Sequence, residues 1–304
     1  MSQHLLNLAH FTEKDLIELI DLAHSFQTQD PPGYRYENIF PDKKVASIFC
    51  EPSTRTKLSF EIATHNLGAQ YIDFNLANSS IQKGETLEDT VEAMMLMGVD
   101  LCILRHTDSS IHTLANKFPA LQFVNAGEGA VSHPSQALLD LMTIRESKKS
   151  FDDLKITIVG DLDHSRVVSS FLEAIQIVGY KTITFCGHPD LCKSYLENSI
   201  GNFEPDLETA MADADVVMAL RIQNERLTEK LTISASEYVE RYQINVDSLQ
   251  VASPDAILLH PGPVNFGIEL DYEVSQLDNC KIKNQILNGV GIRMAILTRL
   301  FSQA

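Results

Sequence analysis

Val45-Ala46-Ser47-Ile48-Phe49-Cys50, followed at once by Glu51-Pro52-Ser53-Thr54-Arg55-Thr56-Lys57, sets the grammar of the chain. A short β-rich apolar run ends in a polar turn, and the turn opens a helical pattern from Thr56 to Leu67 that Gly68 closes. Such alternation is the mark of βαβ units and parallel sheets, and the fold class it predicts is α/β. Working outward, Tyr71 to Phe74, Asp100 to Arg105 and Leu121 to Asn125 are further strand candidates in the first half. Helical spacing covers Leu87 to Met97 and Ile111 to Phe118, with Gly98, like Gly68, where a C-terminal cap belongs. The second half repeats the grammar. Its strand candidates are Lys155 to Val159, Thr182 to Cys186, Asp215 to Leu220 and Ala256 to Leu259, and its helices are Arg166 to Val178, Leu207 to Ala212 and Ser234 to Tyr242.

A chain of 304 residues exceeds one ordinary core, and length alone suggests two domains of about 150 residues. The polar stretch Arg145-Glu146-Ser147-Lys148-Lys149-Ser150 separates the halves, giving domains at 1–148 and 149–304. A last helical pattern, Ile292 to Phe301, packs on one of them, and the residues leave open which. With 44% hydrophobic residues and no run of eighteen apolar ones, the expected protein is soluble and globular, with no membrane association. The N-terminal residues carry no basic start, apolar block and small-residue cleavage site, so the cytoplasm is the expected location. Cys50, Cys102, Cys186, Cys192 and Cys280 form no C-x-x-C pair and mostly sit in apolar runs; they read as reduced core residues rather than zinc ligands. A formal charge of -17 repels phosphate backbones and anionic lipid, which argues against a nucleic-acid partner. An anion pocket in such a protein must be a local basic spot.

Ligands of open parallel sheets sit at the carboxyl ends of strands, and the residues placed there are unusually polar. Ser53-Thr54-Arg55-Thr56 offers hydroxyls, a guanidinium and the free N–H groups of a helix start, where the dipole term alone is worth roughly 0.3–2 kcal/mol to an anion. Ser53 by itself reads as a capping residue; with two threonines and an arginine the turn reads as a phosphate cradle. Arg105-His106 ends the third strand, and Asn125-Ala126-Gly127-Glu128-Gly129 ends the fourth, ahead of His133-Pro134-Ser135-Gln136 at another helix start. His133 alone reads as a cap, but Gln136 one turn later faces the same opening. The second half places Asp161 to Arg166, Arg221 to Arg226 and His260-Pro261-Gly262-Pro263 after its strands. Six polar turns at strand ends argue for a binding cleft. Ser79 to Thr86 precedes a helix and has the composition of a mobile loop, with Lys83 as its reaching cation. Two rivals are weaker. Ile156 to Asp161 ends a strand as a dinucleotide turn does, yet the glycines of G-x-G-x-x-G are absent, which tells against a nicotinamide dehydrogenase. A catalytically idle binding or scaffold subunit leaves the basic turns without a purpose.

Together, Phe49 to Thr56 with Ser59-Phe60-Glu61, the Lys83-Gly84-Glu85-Thr86 loop and His133-Pro134-Ser135-Gln136 resemble the carbamoyltransferase family, with motifs from about residue 45 to 293. Arg221-Ile222-Gln223-Asn224-Glu225-Arg226 and His260-Pro261-Gly262-Pro263 look like its aspartate-using branch; an ornithine enzyme would carry H-C-L-P and a serine-methionine-glycine loop. The resemblance implies two parallel-sheet αβα domains, the first for carbamoyl phosphate and the second for aspartate, with the active site in the interdomain cleft. The C-terminal helix, from about residue 290, would return to the first domain. It also implies a transferase making N-carbamoyl-L-aspartate and phosphate from carbamoyl phosphate and L-aspartate in de novo pyrimidine (UMP) biosynthesis. The enzyme would be a homotrimer with shared active sites, and regulatory chains or other pathway partners are left open. Attack of an amine on an activated mixed anhydride needs no cofactor, metal or protein nucleophile.

Carried over by motif, Ser53, Thr54, Arg55, Thr56, Arg105, His133 and Gln136 hold carbamoyl phosphate, closed over by Gly262-Pro263. Thr56, Arg105 and His133 meet the carbonyl oxygen, and Arg55 and Lys83 complete the catalytic set. By the same resemblance, Ser79 and Lys83 would come from the neighbouring subunit. Lys83, Arg166, Arg221 and Gln223 take aspartate, and the two arginines favour a dicarboxylate over another amino acid. Glu51 is expected to pair with Arg166 or Arg226 as the domains close. One departure stands out: relatives with H-P-x-P-V-N commonly continue R-G, whereas Asn265 is followed here by Phe266-Gly267.

Overall fold

The computed structural model describes residues 3–108, 110–129, 131–197, 199–222 and 233–303. The amphipathic N-terminal segment becomes helix α1 (Glu13–Ser25), whose start is fixed by a capping box between Thr12 and Asp15. A hairpin of β1 (Gln27–Gln29) and β2 (Pro32–Tyr34) follows, which the alternation rule had not singled out because it is too short and polar to show a period. Then come β3 (Lys44–Phe49), α2 (Thr54–Asn66), β4 (Gln70–Phe74), α3 (Leu87–Leu96), β5 (Leu101–His106), α4 (Ser110–Lys117), β6 (Gln122–Glu128) and α5 (Pro134–Ser147). The second half runs β7 (Lys155–Val159), α6 (Arg166–Val178), β8 (Thr182–Cys186), β9 (Asn202–Phe203), α7 (Leu207–Met211) and β10 (Val216–Ala219). It continues with α8 (Ala235–Tyr242), α9 (Val246–Leu249), β11 (Ile257–Leu259) and α10 (Ile282–Phe301).

By contact density the chain divides into two compact units, one of Met1–Met142, Ser169–Ile177 and Ile286–Ala304, the other of Thr143–Val168 and Val178–Gln285. In the first unit a parallel sheet runs in the order β4-β3-β5-β6. Ala46, Ile48, Cys102, Leu104 and Phe123 project from alternate positions of three strands into a core completed by Val91 and Met94 of α3 and Ile111 and Leu114 of α4. The outer edge of β6 is covered by the N-terminal segment, where Leu5 N donates to Phe123 O at 2.9 Å and accepts from Asn125 N through its own carbonyl at 2.8 Å. Gly68 and Gly98 take φ of 79° and 84°, as helix-closing residues require.

The second unit holds a five-stranded parallel sheet in the order β11-β10-β7-β8-β9. Each sheet builds outward from its first major strand and then reverses. The chain lays β4 on one side of β3 and β5 on the other, and lays β8 on one side of β7 and β10 on the other. The reversals between β3 and β5 and between β7 and β10 are the switch points at which such sheets open to ligands.

Helix α10 starts ten residues before the pattern Ile292 to Phe301 that the sequence suggested. Gly289 and Gly291 hid its first half, because interior glycines read as breakers. The structure gives them another purpose: the ring of Tyr34 occupies the space a Cβ on residue 291 would need, and a Cβ on residue 289 would stand 2.7 Å from Arg293 Nη1. The residues of α10 from Ile286 onward belong to the first unit. All five cysteines are free thiols, and burial pushes Cys102 and Cys186 up to about 12, which keeps them protonated and inert.

Candidate active site

The turn after β3 delivers Ser53, Thr54, Arg55 and Thr56 into the first turn of α2. Ser53 is the N-cap, in extended conformation, and its side chain makes no cap hydrogen bond. No acidic residue stands in the first turn. The N-terminal amides of α2 therefore keep their partial positive charge unquenched by a neighbouring carboxylate. Thr54 and Arg55 are exposed, whereas Thr56 is 6% exposed and turned inward.

Arg105 lies near the end of β5, across the switch point. Cys50 N donates to Arg105 O at 2.9 Å, which ties the β3 turn to β5. The β5–β6 register shifts between Leu104 and His106, and Arg105 occupies the irregularity, a device that re-aims a side chain at a strand end. Its Nη1 donates to Ala126 O at 3.1 Å and its Nε lies 3.4 Å from Glu51 Oε2. His133 immediately precedes α5 and is buried. Its backbone N–H donates to Ser170 Oγ at 2.6 Å, and its Nε2 lies 3.4 Å from Thr56 Oγ1. Gln136 is buried one turn on, its Nε2 donating to Asp140 Oδ1 at 3.0 Å. Thr56 and His133 are thus brought together, and Arg105 is held where β5 leaves the sheet, all within the first unit.

The second unit is arranged differently. Arg166 opens α6 and is partly exposed, and Arg221 is exposed just beyond β10, so both arginines flank the β7–β10 switch point. Asn265 Nδ2 donates to Ile222 O at 2.9 Å, beside Arg221, and Asn265 N donates to Glu269 Oε1 at 2.6 Å. The same Glu269 oxygen lies 3.3 Å from His260 Nε2, and His260 Nδ1 accepts from Gly262 N at 2.8 Å. His260 and Glu269 are almost wholly buried. This pair therefore fixes the backbone of the turn at Gly262-Pro263 and of Asn265, whose side chain in turn holds the carbonyl of Ile222.

Family models match both halves of the chain. That of the aspartate/ornithine carbamoyltransferase carbamoyl-P binding domain covers residues 3–146, and that of the aspartate/ornithine carbamoyltransferase Asp/Orn binding domain covers residues 152–300. The chain belongs to the aspartate/ornithine carbamoyltransferase family. It is 39% identical over 300 residues to the aspartate carbamoyltransferase catalytic subunit of Flavobacterium johnsoniae, covering 99% of this chain and 97% of that protein. To the corresponding subunit of Koribacter versatilis it is 40% identical over 301 residues, covering 98% and 97%. Among solved structures it is similar to aspartate transcarbamoylase from Trypanosoma cruzi in complex with carbamoyl aspartate and phosphate, with a TM-score of 0.86, 28% identity, and coverage of 97% of this chain and 94% of that one.

Membership of the carbamoyltransferase family displaces the dehydrogenase and idle-subunit readings. The structure places Ser53, Thr54, Arg55, Thr56, Arg105, His133 and Gln136 on three neighbouring strand ends of one sheet. Ser79 caps and Lys83 ends a short 3-10 stretch, Ser80–Lys83, with Lys83 exposed. Gln223 and Arg226 lie outside the described residues. Glu51, expected to pair with Arg166 or Arg226 as the domains close, stands beside Arg105, the cation at the end of the adjacent strand. Phe266, at the position where arginine is common after H-P-x-P-V-N, is 46% exposed and meets Tyr272 edge-on with ring centroids 5.4 Å apart. Three residues that support the site escaped the sequence: Ser170, Asp140 and Arg293. Asp140 was within reach of a rule, since it stands four residues after Gln136 on one face of α5. Ser170 and Arg293 come from distant parts of the chain and carry no local signal.

Proposed function

We propose that the chain transfers the carbamoyl group of carbamoyl phosphate to the amine of L-aspartate, releasing N-carbamoyl-L-aspartate and phosphate, as a cytoplasmic step of de novo pyrimidine synthesis. The observation that carries this reading is the pairing of Thr56 Oγ1 with His133 Nε2, 3.4 Å apart, above an anion-competent helix start. Full-length similarity to aspartate carbamoyltransferase catalytic subunits supports aspartate as the acceptor.

In this reading the phosphate sits on Ser53, Thr54, Arg55 and the amides of α2, and Gln136 orients the carbamoyl group. Thr56, Arg105 and His133 surround the carbonyl oxygen. The amine attacks the carbonyl carbon, a new C–N bond forms, negative charge collects on that oxygen, and the C–O bond to phosphate breaks as the amine's proton passes to the departing phosphate. Donors aimed at the developing oxyanion are worth about 2.7–4 kcal/mol each, and holding two anions in line can supply roughly 7–11 kcal/mol. The carboxylates of aspartate fall to Arg166, Arg221, Gln223 and Lys83, with Gly262-Pro263 contributing backbone to the carbamoyl phosphate.

A colorimetric assay for carbamoylaspartate with purified protein tests the reaction, run with L-aspartate and a panel of other amino acids. Product from aspartate alone is expected. Absence of product from folded protein, or equal use of ornithine, overturns the reading. Ser79 and Lys83 act from a neighbouring subunit of a homotrimer. Mixing inactive Lys83→Gln and Arg55→Ala forms under subunit exchange is therefore expected to restore activity, and no recovery despite proven exchange would refute sharing.

A further inference from the structure

Arg293 is 2% exposed, in the interior of α10, and cannot reach a bound substrate. Its Nη1 donates to Gly289 O at 2.9 Å and its Nη2 to Ser135 Oγ at 3.3 Å. Its guanidinium carbon stands 4.9 Å from the centre of the Phe60 ring. These contacts lead to both walls of the site. Phe60 lies on α2 one turn after Thr56 and on the same face, and Ser135 lies on α5 between His133 and Gln136. Asp140, fully buried on α5, opposes the cost of burying the guanidinium and also accepts the Gln136 amide.

Stability does not account for the arrangement. A buried ion pair is commonly matched or exceeded by apolar side chains of the same volume, and Nε of Arg293 finds no hydrogen-bond acceptor among the described residues. Glycine inside a helix costs about 0.5–1 kcal/mol relative to alanine, yet residue 289 is glycine, and a Cβ there would meet Nη1 at 2.7 Å. The helix gives up local stability to seat this guanidinium. What the guanidinium does in return is hold α2, α5 and α10 at a fixed separation through one rigid planar fork.

We propose that Arg293 is a positioning residue for carbamoyl transfer, setting the separation of α2 and α5 and thereby the alignment of Thr56 with His133 and Gln136. The proposal rests on the assignment of those three residues to the carbamoyl group. Because the phosphate is held by the exposed end of α2, a fault in this alignment falls on the chemical step more than on phosphate binding.

The experiment compares wild type, Arg293→Lys, Ser135→Ala and Gly289→Ala in the carbamoylaspartate assay, alongside thermal midpoints and calorimetric binding of inorganic phosphate. Lysine keeps the charge and loses the fork; alanine at residue 135 removes one contact and leaves Arg293 in place. Alanine at residue 289 displaces the guanidinium while improving helix propensity. For a misplacement of under an ångström, turnover is expected to fall about tenfold in Arg293→Lys and Gly289→Ala and less in Ser135→Ala. Phosphate affinity should stay within about threefold. Wild-type turnover from Ser135→Ala and Gly289→Ala overturns the proposal whether or not Arg293→Lys folds. A wild-type protein that makes no carbamoylaspartate refutes instead the reaction assigned above.

Discussion

Helices α1 and α2 lie in the same unit and are each 13 residues long, yet their N-termini are built on opposite plans. At α1, Thr12 Oγ1 donates to Asp15 Oδ2 at 2.6 Å, and Asp15 also accepts Thr12 N at 2.9 Å and Arg299 Nη2 at 2.6 Å. Glu13 and Asp15 put negative charge where the helix dipole favours it. At α2 the cap serine makes no side-chain cap bond, and the third helical position, where α1 has Asp15, holds Thr56. That threonine faces His133 rather than its own backbone. One helix start is closed by its own residues; the other is left for a ligand. Departures from the rules that stabilise helices are expected at functional sites, and here the departure coincides with the residues assigned to the phosphate and the carbonyl.

The largest effect is expected from making α2 resemble α1. Thr56→Asp supplies the acid of a capping box behind Ser53 and sets a carboxylate against the phosphate. Turnover should fall on the order of a hundredfold or more, since one oxyanion donor is lost and a like charge is added, and phosphate binding should weaken with it. Thr56→Ala removes the donor alone and should lower turnover by about 10²–10³ while leaving phosphate affinity nearly intact. Steady-state kinetics with phosphate calorimetry separates the two. If both substitutions left turnover at the wild-type level, the contrast between the helix starts would have no catalytic meaning.

The contrast was half legible in the sequence. Ser53-Thr54-Arg55-Thr56 after an apolar run shows a helix start without an acid, Arg105 shows as a polar residue at a strand end, and His133 at a helix start. Local patterning carries that much because strand, turn and helix periods are read from neighbours along the chain. Ser170, whose hydroxyl accepts the His133 N–H, and Arg293, whose fork reaches Ser135, depend on the packing of segments more than thirty residues apart. No period announces them. Gly289 and Gly291 obscured α10 for the same reason, since what makes them glycine is Arg293 and Tyr34 rather than any turn. The contact of Glu51 with Arg105 was not legible either: Glu51 is two residues beyond β3, and the parallel pairing of Phe49 with Arg105 brings the two side chains together.

A smaller effect is expected at the closed helix start. Thr12→Ala removes the hydroxyl of the capping box and should cost about 1 kcal/mol of stability, read as a lower denaturation midpoint. Turnover and the Michaelis constants should not change, because nothing at Thr12 touches the residues assigned to substrate. A loss of turnover with little change in midpoint would show that α1 also serves the site, and the division between a structural and a functional helix start would fail.

The smallest effect concerns the pH dependence of the same cap. The hydroxyl of Thr12, then the Arg299 guanidinium, holds the Asp15 carboxyl well below its ordinary value of 3.8. A carboxyl whose folded pKa is depressed adds stability that is fully present above the unfolded value and is lost as pH falls toward the folded one. The stability gap between wild type and Asp15→Asn should therefore be constant near neutrality and narrow progressively below pH 3.8. Its size should stay below about 1 kcal/mol, because the carboxyl lies near the surface and solvent screens its partner. Denaturant midpoints for both proteins across that range measure the narrowing. The start of α2 has no acid in its first turn, so the corresponding series for Thr56→Ala against wild type should show no narrowing in the same window. If it did narrow, α2 would draw on a carboxylate for its stability after all, with Glu51 the nearest one in sequence.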